Sequence, residues 1–412
     1  MLEFTDIPYR FVPPRPNTFL ISLAQFVIGR FALPGKRHLV KQIELHGTEA
    51  FQKVRENNAR LVLLPNHSTH SDPQVMSEVC RRLSIRPSFM AAYDVFARGR
   101  IQSWLMQRTG AFSVDRDGSD RKSMKCATDV VTEGSYPLIL FPEGNVYLCN
   151  DQVTPFAEGA SYIALRAQKT LGTDAPVFVV PVSMKYTYLE DIRGQLRQSM
   201  DDLASHFGTQ LDPGTDFCEE LKRVSTTALS RFLTQRGHLP PEDTASVDDK
   251  VAHAAEQLLA SLEAKMNLKP AGESDHTSRI RRIRATVHAV RTDPEREIDH
   301  RAASHWADEA ILALRVLGYR GGYMARHPTL DRVAETVARL REDVHSRLFP
   351  PDGERRCIVK FGTPLDLRER LEPFEAKARR AISDLTHDCE AAVQSGLDEI
   401  NAENNSPGAE LF

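Results

Sequence analysis

The chain is expected to adopt an α/β fold, a mostly parallel sheet flanked by helices, with a large helical insertion and a C-terminal helix. Three observations predict it. Between residues 61 and 182, short apolar runs alternate with amphipathic stretches, as strands and crossover helices of a parallel sheet do. From about Tyr188 to Pro350 the strand signals give way to Ala-, Leu-, Glu- and Arg-rich helical periodicity. A strand then returns in CIVKF (357–361), followed by the turn residues Gly362 and Pro364 and a long helical pattern.

Taken in order, residues 1–40 form an N-terminal apolar segment around FLISLAQFVI (19–28). That run is far short of the roughly 20 apolar residues that span a bilayer, and Arg30 interrupts it. A core helix and a helix lying in a membrane interface both fit it. Residues 41–187 hold the α/β core, with strands at 60–64, 88–91, 111–114, 137–141 and 177–182 and helices at 74–82, 98–108, 119–133 and 159–171. The insertion covers 188–352, with breaks at HLPPEDTAS (238–246) and KPAGESDHTS (269–278), both dense in Pro, Gly, Ser and Asp. Residues 353–400 return the last strand and a helix at 367–400, and 401–412, NAENNSPGAELF, read as a tail without fixed structure.

Composition narrows the function classes. With 41% hydrophobic and 26% charged residues, the 412-residue chain is neither disordered nor collagen-like. Its 53 Lys and Arg nearly balance 56 Asp and Glu, so no global field points to nucleic acid. The six cysteines form no CxxC pair, which favours reduced thiols over a zinc or redox motif. The N-terminus lacks the basic region of a secretory signal, which sets the expectation of a cytoplasmic protein.

The chemistry concentrates in NHSTHSD (66–72), between the apolar run RLVLLP and the helical pattern QVMSEVCRR. A strand-to-helix loop at the carboxyl edge of such a sheet is where reactive groups are commonly presented. Four residues separate His67 from Asp72. A loop of that length lets the carboxylate reach one imidazole nitrogen and leaves the other to accept a proton, a dyad that needs no protein nucleophile. Two other readings compete. Asp72 and Pro73 also make a good helix start. His67, His70 and Asp72 resemble, with shifted spacing, the HxHxDH loop of metallo-β-lactamase-type hydrolases, although Pro73 stands where that family has a histidine.

Downstream, GAFSVDR (110–116), FPEGN (141–145) and VVPVS (179–183) follow in order, with PFAEGASYIAL (155–165) and VKFGTPLDL (359–367) as shorter echoes. Together with NHSTHSD these blocks resemble the glycerolipid acyltransferase family, the lysophosphatidic acid acyltransferase-like enzymes. The resemblance covers about 40–190 and 355–370. It implies an O-acyltransferase with His67 as general base and Asp72 as its orienting partner. It places Asn66, Gly110, Phe112, Arg116, Glu143, Gly144 and Pro181 at the substrate, with Arg116 the contact for a phosphate and Glu143 for glycerol hydroxyls. No resident cofactor or metal is implied. The partners implied are a lipid acceptor of lysophospholipid or glycerol-phosphate type, acyl-CoA or acyl-carrier protein as donor, and the cytoplasmic face of a membrane, with no nucleic acid. In one departure, Asn145 and Val146 stand where phosphate-directed members read Thr and Arg. A metal-dependent hydrolase at the same loop and a non-catalytic lipid-binding protein on the same fold are the alternatives.

Two further stretches carry expectations. Phe96, Ile101, Trp104, Leu105 and Met106 lie near Arg98, Arg100 and Arg108 and are expected to pack on the sheet, with lipid contact as the second option. Arg279, Arg281, Arg282, Arg284 and Arg291 flank Ile280, Ile283 and Val287 and read as a solvated face or as a surface for anionic lipid.

Overall fold

A computed structural model describes residues 9–57, 59–116, 120–242, 245–269, 276–292, 300–319 and 321–412. Asp117, parts of both expected breaks in the insertion, and the side chains of Arg281 and Arg291 lie outside the described residues. The first helix, α1 (Thr18–Val27), is capped by the Asn17 side chain and runs into a π-helical turn, Ile28–Ala32. The core follows with β1 (Val40–His46), α2 (Thr48–Glu56), β2 (Arg60–Pro65), α3 (Asp72–Arg82), β3 (Ser88–Ala92), α4 (Tyr93–Ala97), α5 (Arg100–Arg108), β4 (Ala111–Val114), α6 (Arg121–Glu133), β5 (Leu138–Ile139), α7 (Gly159–Leu171) and β6 (Val177–Tyr188). The insertion supplies α8 (Arg193–His206), α9 (Phe217–Gln235), α10 (Val247–Lys265), α11 (His276–Thr292), α12 (His300–Leu317), α13 (Gly321–Arg326) and α14 (Leu330–His345). The chain closes with β7 (Arg355–Phe361), β8 (Leu365–Asp366), α15 (Leu371–Ala376) and α16 (Ala378–Glu403).

The eight strands form one sheet in the order β1-β7-β6-β2-β5-β3-β4, with β8 beside β6. All neighbours are parallel except β7 and β8, which run antiparallel to β6. Period-two alternation along β2 sends Val62 and Leu64 to a core beneath α6, α7 and α16, and Leu61 and Leu63 to a core beneath α2 and α3. Burial on both faces explains why β2 is a continuous apolar run. The insertion has two cores of its own, one among α8, α9 and α14, the other among α10, α11 and α12.

The α/β expectation holds, with local corrections. The strand expected at 137–141 shrinks to β5 because Pro142 has no N–H to give the sheet and the chain turns there, Gly144 N–H donating to Phe141 O at 3.0 Å. β6 continues past Val182 to Tyr188 by pairing antiparallel with β7. The helix expected at 98–108 begins at Arg100 as α5, with the unexpected short helix α4 before it, and the one at 367–400 becomes a 3₁₀ turn, α15 and α16. The tail is ordered. Ser406 is buried against Thr187, Gly408 packs on Asp331, and the Phe412 ring lies 4.6 Å from that of Phe217.

Two surface expectations are also overturned. Ile101 and Trp104 are 82% and 50% exposed, so this face of α5 does not pack on the sheet. Ile280, Ile283 and Val287 of α11 join the core, and Arg279 and Arg282 turn toward α10 beside them. Arg279 is buried and forks onto Glu256 and Glu263 of α10, and Arg282 donates to Glu263 at 2.6 Å. Guanidinium groups spent on internal carboxylates are poor anchors for lipid head groups.

Candidate active site

The site sits at the carboxyl end of β2, where the chain leaves the sheet at Pro65 and re-enters helix at Asp72. Asp72 is fully buried at the first turn of α3, where the helix dipole favours a negative charge. Its carboxylate faces back across the loop. Oδ2 lies 2.8 Å from His67 Nδ1 and accepts from Thr69 N at 2.9 Å, and Oδ1 accepts from the Thr69 hydroxyl at 2.9 Å. An Nδ1–H donated to Asp72 fixes the tautomer that leaves Nε2 as a proton acceptor. The His67 side chain is 16% exposed and stacks on Phe141, ring centroids 4.3 Å apart.

The FPEGN turn holds the loop from the other side. Glu143 Oε1 accepts from His67 N at 2.6 Å, and Oε2 accepts from Thr154 N at 3.0 Å and from the Thr154 hydroxyl. Both carboxylate oxygens are thus engaged by protein donors. Burial pushes the Glu143 carboxyl up, and these donors pull it back down. Gly144 takes φ +73°, a left-handed conformation that favours glycine, with open space where a side chain would start. Its carbonyl accepts from Arg116 Nη1 at 3.1 Å, and the same nitrogen donates to Asn145 Oδ1 at 2.7 Å. Arg116 Nη2 donates to Asp94 at 2.7 Å. Asn145, the departure from the family pattern, is therefore a partner of Arg116.

The structure brings His67, Asp72, Glu143, Gly144 and Arg116 together around this turn. The other four expected substrate contacts are taken up by the scaffold. Asn66 is buried and exchanges two hydrogen bonds with the Met184 backbone, at 2.7 and 3.0 Å, tying β2 to β6. Phe112 is fully buried in the core with Val62 and Leu64. Gly110 makes the α5–β4 turn at φ +86°, where a Cβ would lie 3.1 Å from Pro87 O. Pro181 is buried on β6 opposite Leu64.

His70 is engaged elsewhere, its Nε2 3.0 Å from Glu342 on α14. Among the described residues, no group of three His, Cys, Asp or Glu stands in metal-holding geometry. In the competing metal-loop reading the second histidine, His70, is committed to a carboxylate in the insertion. Thr69, Asp94, Phe141, Thr154 and Glu342 were not singled out from sequence. Thr154, directly before the PFAEG echo, was the one with a nearby signal.

Residues 42–185 match the family model described as Acyltransferase. A 1-acyl-sn-glycerol-3-phosphate acyltransferase of Streptococcus pneumoniae (strain ATCC BAA-255 / R6) is 27% identical over 212 residues, 50% of this chain and 69% of that protein. The matched span contains β2, the 66–72 loop, the arginine block and the FPEGN turn. Over residues 42–185 the chain matches an acyltransferase domain and is similar to a 1-acyl-sn-glycerol-3-phosphate acyltransferase, and it is an O-acyltransferase.

Proposed function

We propose that the chain moves an acyl group from acyl-CoA or acyl-carrier protein to a hydroxyl of a lysophospholipid or glycerol-phosphate-type acceptor, with His67 and Asp72 as the catalytic dyad. The acceptor oxygen attacks the thioester carbonyl while His67 Nε2 takes its proton. Asp72 stabilises the imidazolium, the C–S bond breaks as the tetrahedral oxyanion collapses, and the thiolate recovers the proton. No covalent acyl-enzyme, metal or resident cofactor is needed. The observation that carries this reading is the 2.8 Å contact between His67 Nδ1 and a fully buried Asp72 whose other contacts hold it in place. Arg116 supports an acceptor with an anionic group, because a guanidinium suits phosphate, and the open space at Gly144 suits close approach of glycerol. Asp94 already compensates part of the Arg116 charge, which favours one negative charge over two.

A membrane surface supplies such acceptors. No helix among the described residues is long and apolar enough to cross a membrane. Phe19 and Phe26 of α1 and Phe31 of the π-helical turn are nevertheless exposed, as are Ile101 and Trp104 of α5. The chain entering α1 is bonded to the end of α5, Arg15 N donating to Gln107 O and Asn17 N to Arg108 O, each at 2.9 Å. Arg30 and Arg108 lie over Phe31 and Trp104. Apolar side chains beside arginines suit the head-group boundary of an anionic leaflet.

The test is acyl product formation from palmitoyl-CoA and palmitoyl-acyl-carrier protein against anionic and neutral lysolipids. The expected result is transfer to at least one acceptor and a loss of roughly 10²- to 10⁴-fold in His67→Ala. Full activity of that variant would overturn the reading.

A further inference from the structure

The helical insertion touches the loops that carry the motifs. On α14, Glu342 Oε2 lies 3.0 Å from His70 Nε2, with the two side chains 11% and 28% exposed. One turn earlier, Arg339 donates to Tyr147 O at 3.0 Å, just after the FPEGN turn. On α11, His288 Nε2 lies 3.1 Å from the carboxylate of Asp115, which precedes Arg116.

The first contact acts on the peptide that joins the dyad. Around it, His67 N is held by Glu143, Thr69 by Asp72, and the Ser71 hydroxyl by His38 at 3.0 Å and Arg355 at 3.2 Å. Those partners belong to the core. His70 stands between Thr69 and Ser71, and its imidazole is held from the insertion. A half-buried imidazole on a largely buried carboxylate fixes both partners, because each has lost part of its water and regains a hydrogen bond from the other. A shift of about 1 Å at a catalytic group can cost roughly 10²-fold in rate, so a tether at the middle of the loop has leverage on His67.

We propose that Glu342 is a positioning residue for acyl transfer. By holding His70 it fixes the loop between His67 and Asp72, and it makes the helical insertion part of the catalytic apparatus. The proposal rests on His67 being the general base.

The experiment follows thiol release from palmitoyl-CoA by the full chain, with 1-palmitoyl-glycerol 3-phosphate present or absent, so that attack by lipid hydroxyl or by water is read alike. Glu342→Ala lowers kcat roughly three- to tenfold, the factor that loss of one such hydrogen bond carries. KM for palmitoyl-CoA and its binding stoichiometry stay as in the parent chain. Glu342→Gln, whose amide oxygen still accepts from His70 Nε2–H, recovers most of the rate. His70→Ala matches the Glu342→Ala loss, and the double variant loses no more than either single one. An unchanged kcat in Glu342→Ala while His67→Ala is inactive would overturn this proposal, and so would a kcat loss matched by an equal loss of binding stoichiometry. An active His67→Ala would instead overturn the dyad on which it rests. If Glu342→Ala does not fold, His70→Ala decides, and parental kcat there overturns the proposal.

Discussion

Replacing Glu143 by Gln tests whether the FPEGN glutamate is an ionised clamp on the catalytic loop. In the parent chain one oxygen receives the His67 N–H and the other receives the Thr154 N–H and hydroxyl. Glutamine offers one carbonyl oxygen and turns an NH₂ toward whichever donors remain. The Thr154 side has two donors and His67 has one, so the amide oxygen settles toward Thr154 and the NH₂ faces the His67 N–H. A hydrogen bond to a charged group contributes about 1.5–3 kcal/mol, and an orphaned buried donor costs a similar amount, so unfolding stability drops by about 1.5–3 kcal/mol. The released peptide is that of His67 itself, so kcat falls roughly 10- to 100-fold, the range expected for a misplaced base. Urea unfolding at pH 7.5 measures the first effect and thiol release from palmitoyl-CoA the second. Burial pushes this carboxyl up, against the pull of the Thr154 and His67 donors. A protonated glutamate is nearly matched by glutamine. Stability within about 0.5 kcal/mol of the parent together with unchanged kcat would therefore refute the ionised clamp, because that is less than one charged hydrogen bond contributes.

Two further outcomes are expected. His38 is buried beside Ser71, and burial first, then Arg37 and Arg355, lower its imidazole from 6.5 to about 4. A group depressed in the fold stabilises above its unfolded value, so this contribution is complete above about pH 6.5 and is lost as pH falls through about 4. Discounted for screening at the exposed Arg37, it amounts to about 2 kcal/mol. Urea titrations at pH 7.5 and 4.5 should show a pH dependence flatter by that amount in His38→Gln, and parallel curves would refute it. At the membrane, Ile101→Glu with Trp104→Glu should weaken co-sedimentation with anionic vesicles roughly tenfold or more, as losing a buried apolar side chain of about 1.5–3 kcal/mol requires. Unchanged binding would move the contact surface away from α5.

The parts of the fold that were legible in the sequence are those whose signal is local. β4 and α7 have the bounds their periodicity indicates, and β2 and α3 differ by a residue or two at their ends. The second half of β6 was missed because Ser183, Lys185 and Thr187 read as solvent-facing, whereas all three are buried and satisfied by distant partners. The polar tail was missed for the same reason, since its order comes from Thr187, Asp331 and Phe217. At the site, spacing alone could not decide between a helix cap and a dyad. The direction of the Asp72 carboxylate, toward His67 and Thr69, is a property of the folded loop that spacing does not carry. Glu143 and Arg116 were named from motif order, but their actual partners, His67 N–H, Thr154, Asp94 and Asn145, come from loops apart in sequence. Glu342, 272 residues from His70, left no local trace at all.

The placement of Glu342 follows from a buried charge cluster that welds α14 to the sheet. Lys185 of β6 is 2% exposed and pairs with Asp151, from the loop after FPEGN, and with Asp331 of α14. Arg332 donates to the other oxygen of Asp151 at 2.6 Å, and Tyr323 bridges Glu335 to the Asn150 N–H. Two cations thus meet three carboxyls. Burial pushes the Glu335 carboxyl up, toward its neutral form, against the pull of Lys185. Withdrawing α14 would take Asp331 from Lys185 and Arg332 from Asp151, and breaking one buried pair costs about 3–5 kcal/mol, a large share of the stability of a typical domain. The post-FPEGN loop is thus tied to the last helix of the insertion through Asp151 and Asn150. The same cluster sets α14 in register, and two to three turns beyond Asp331 that register delivers Arg339 to Tyr147 and Glu342 to His70.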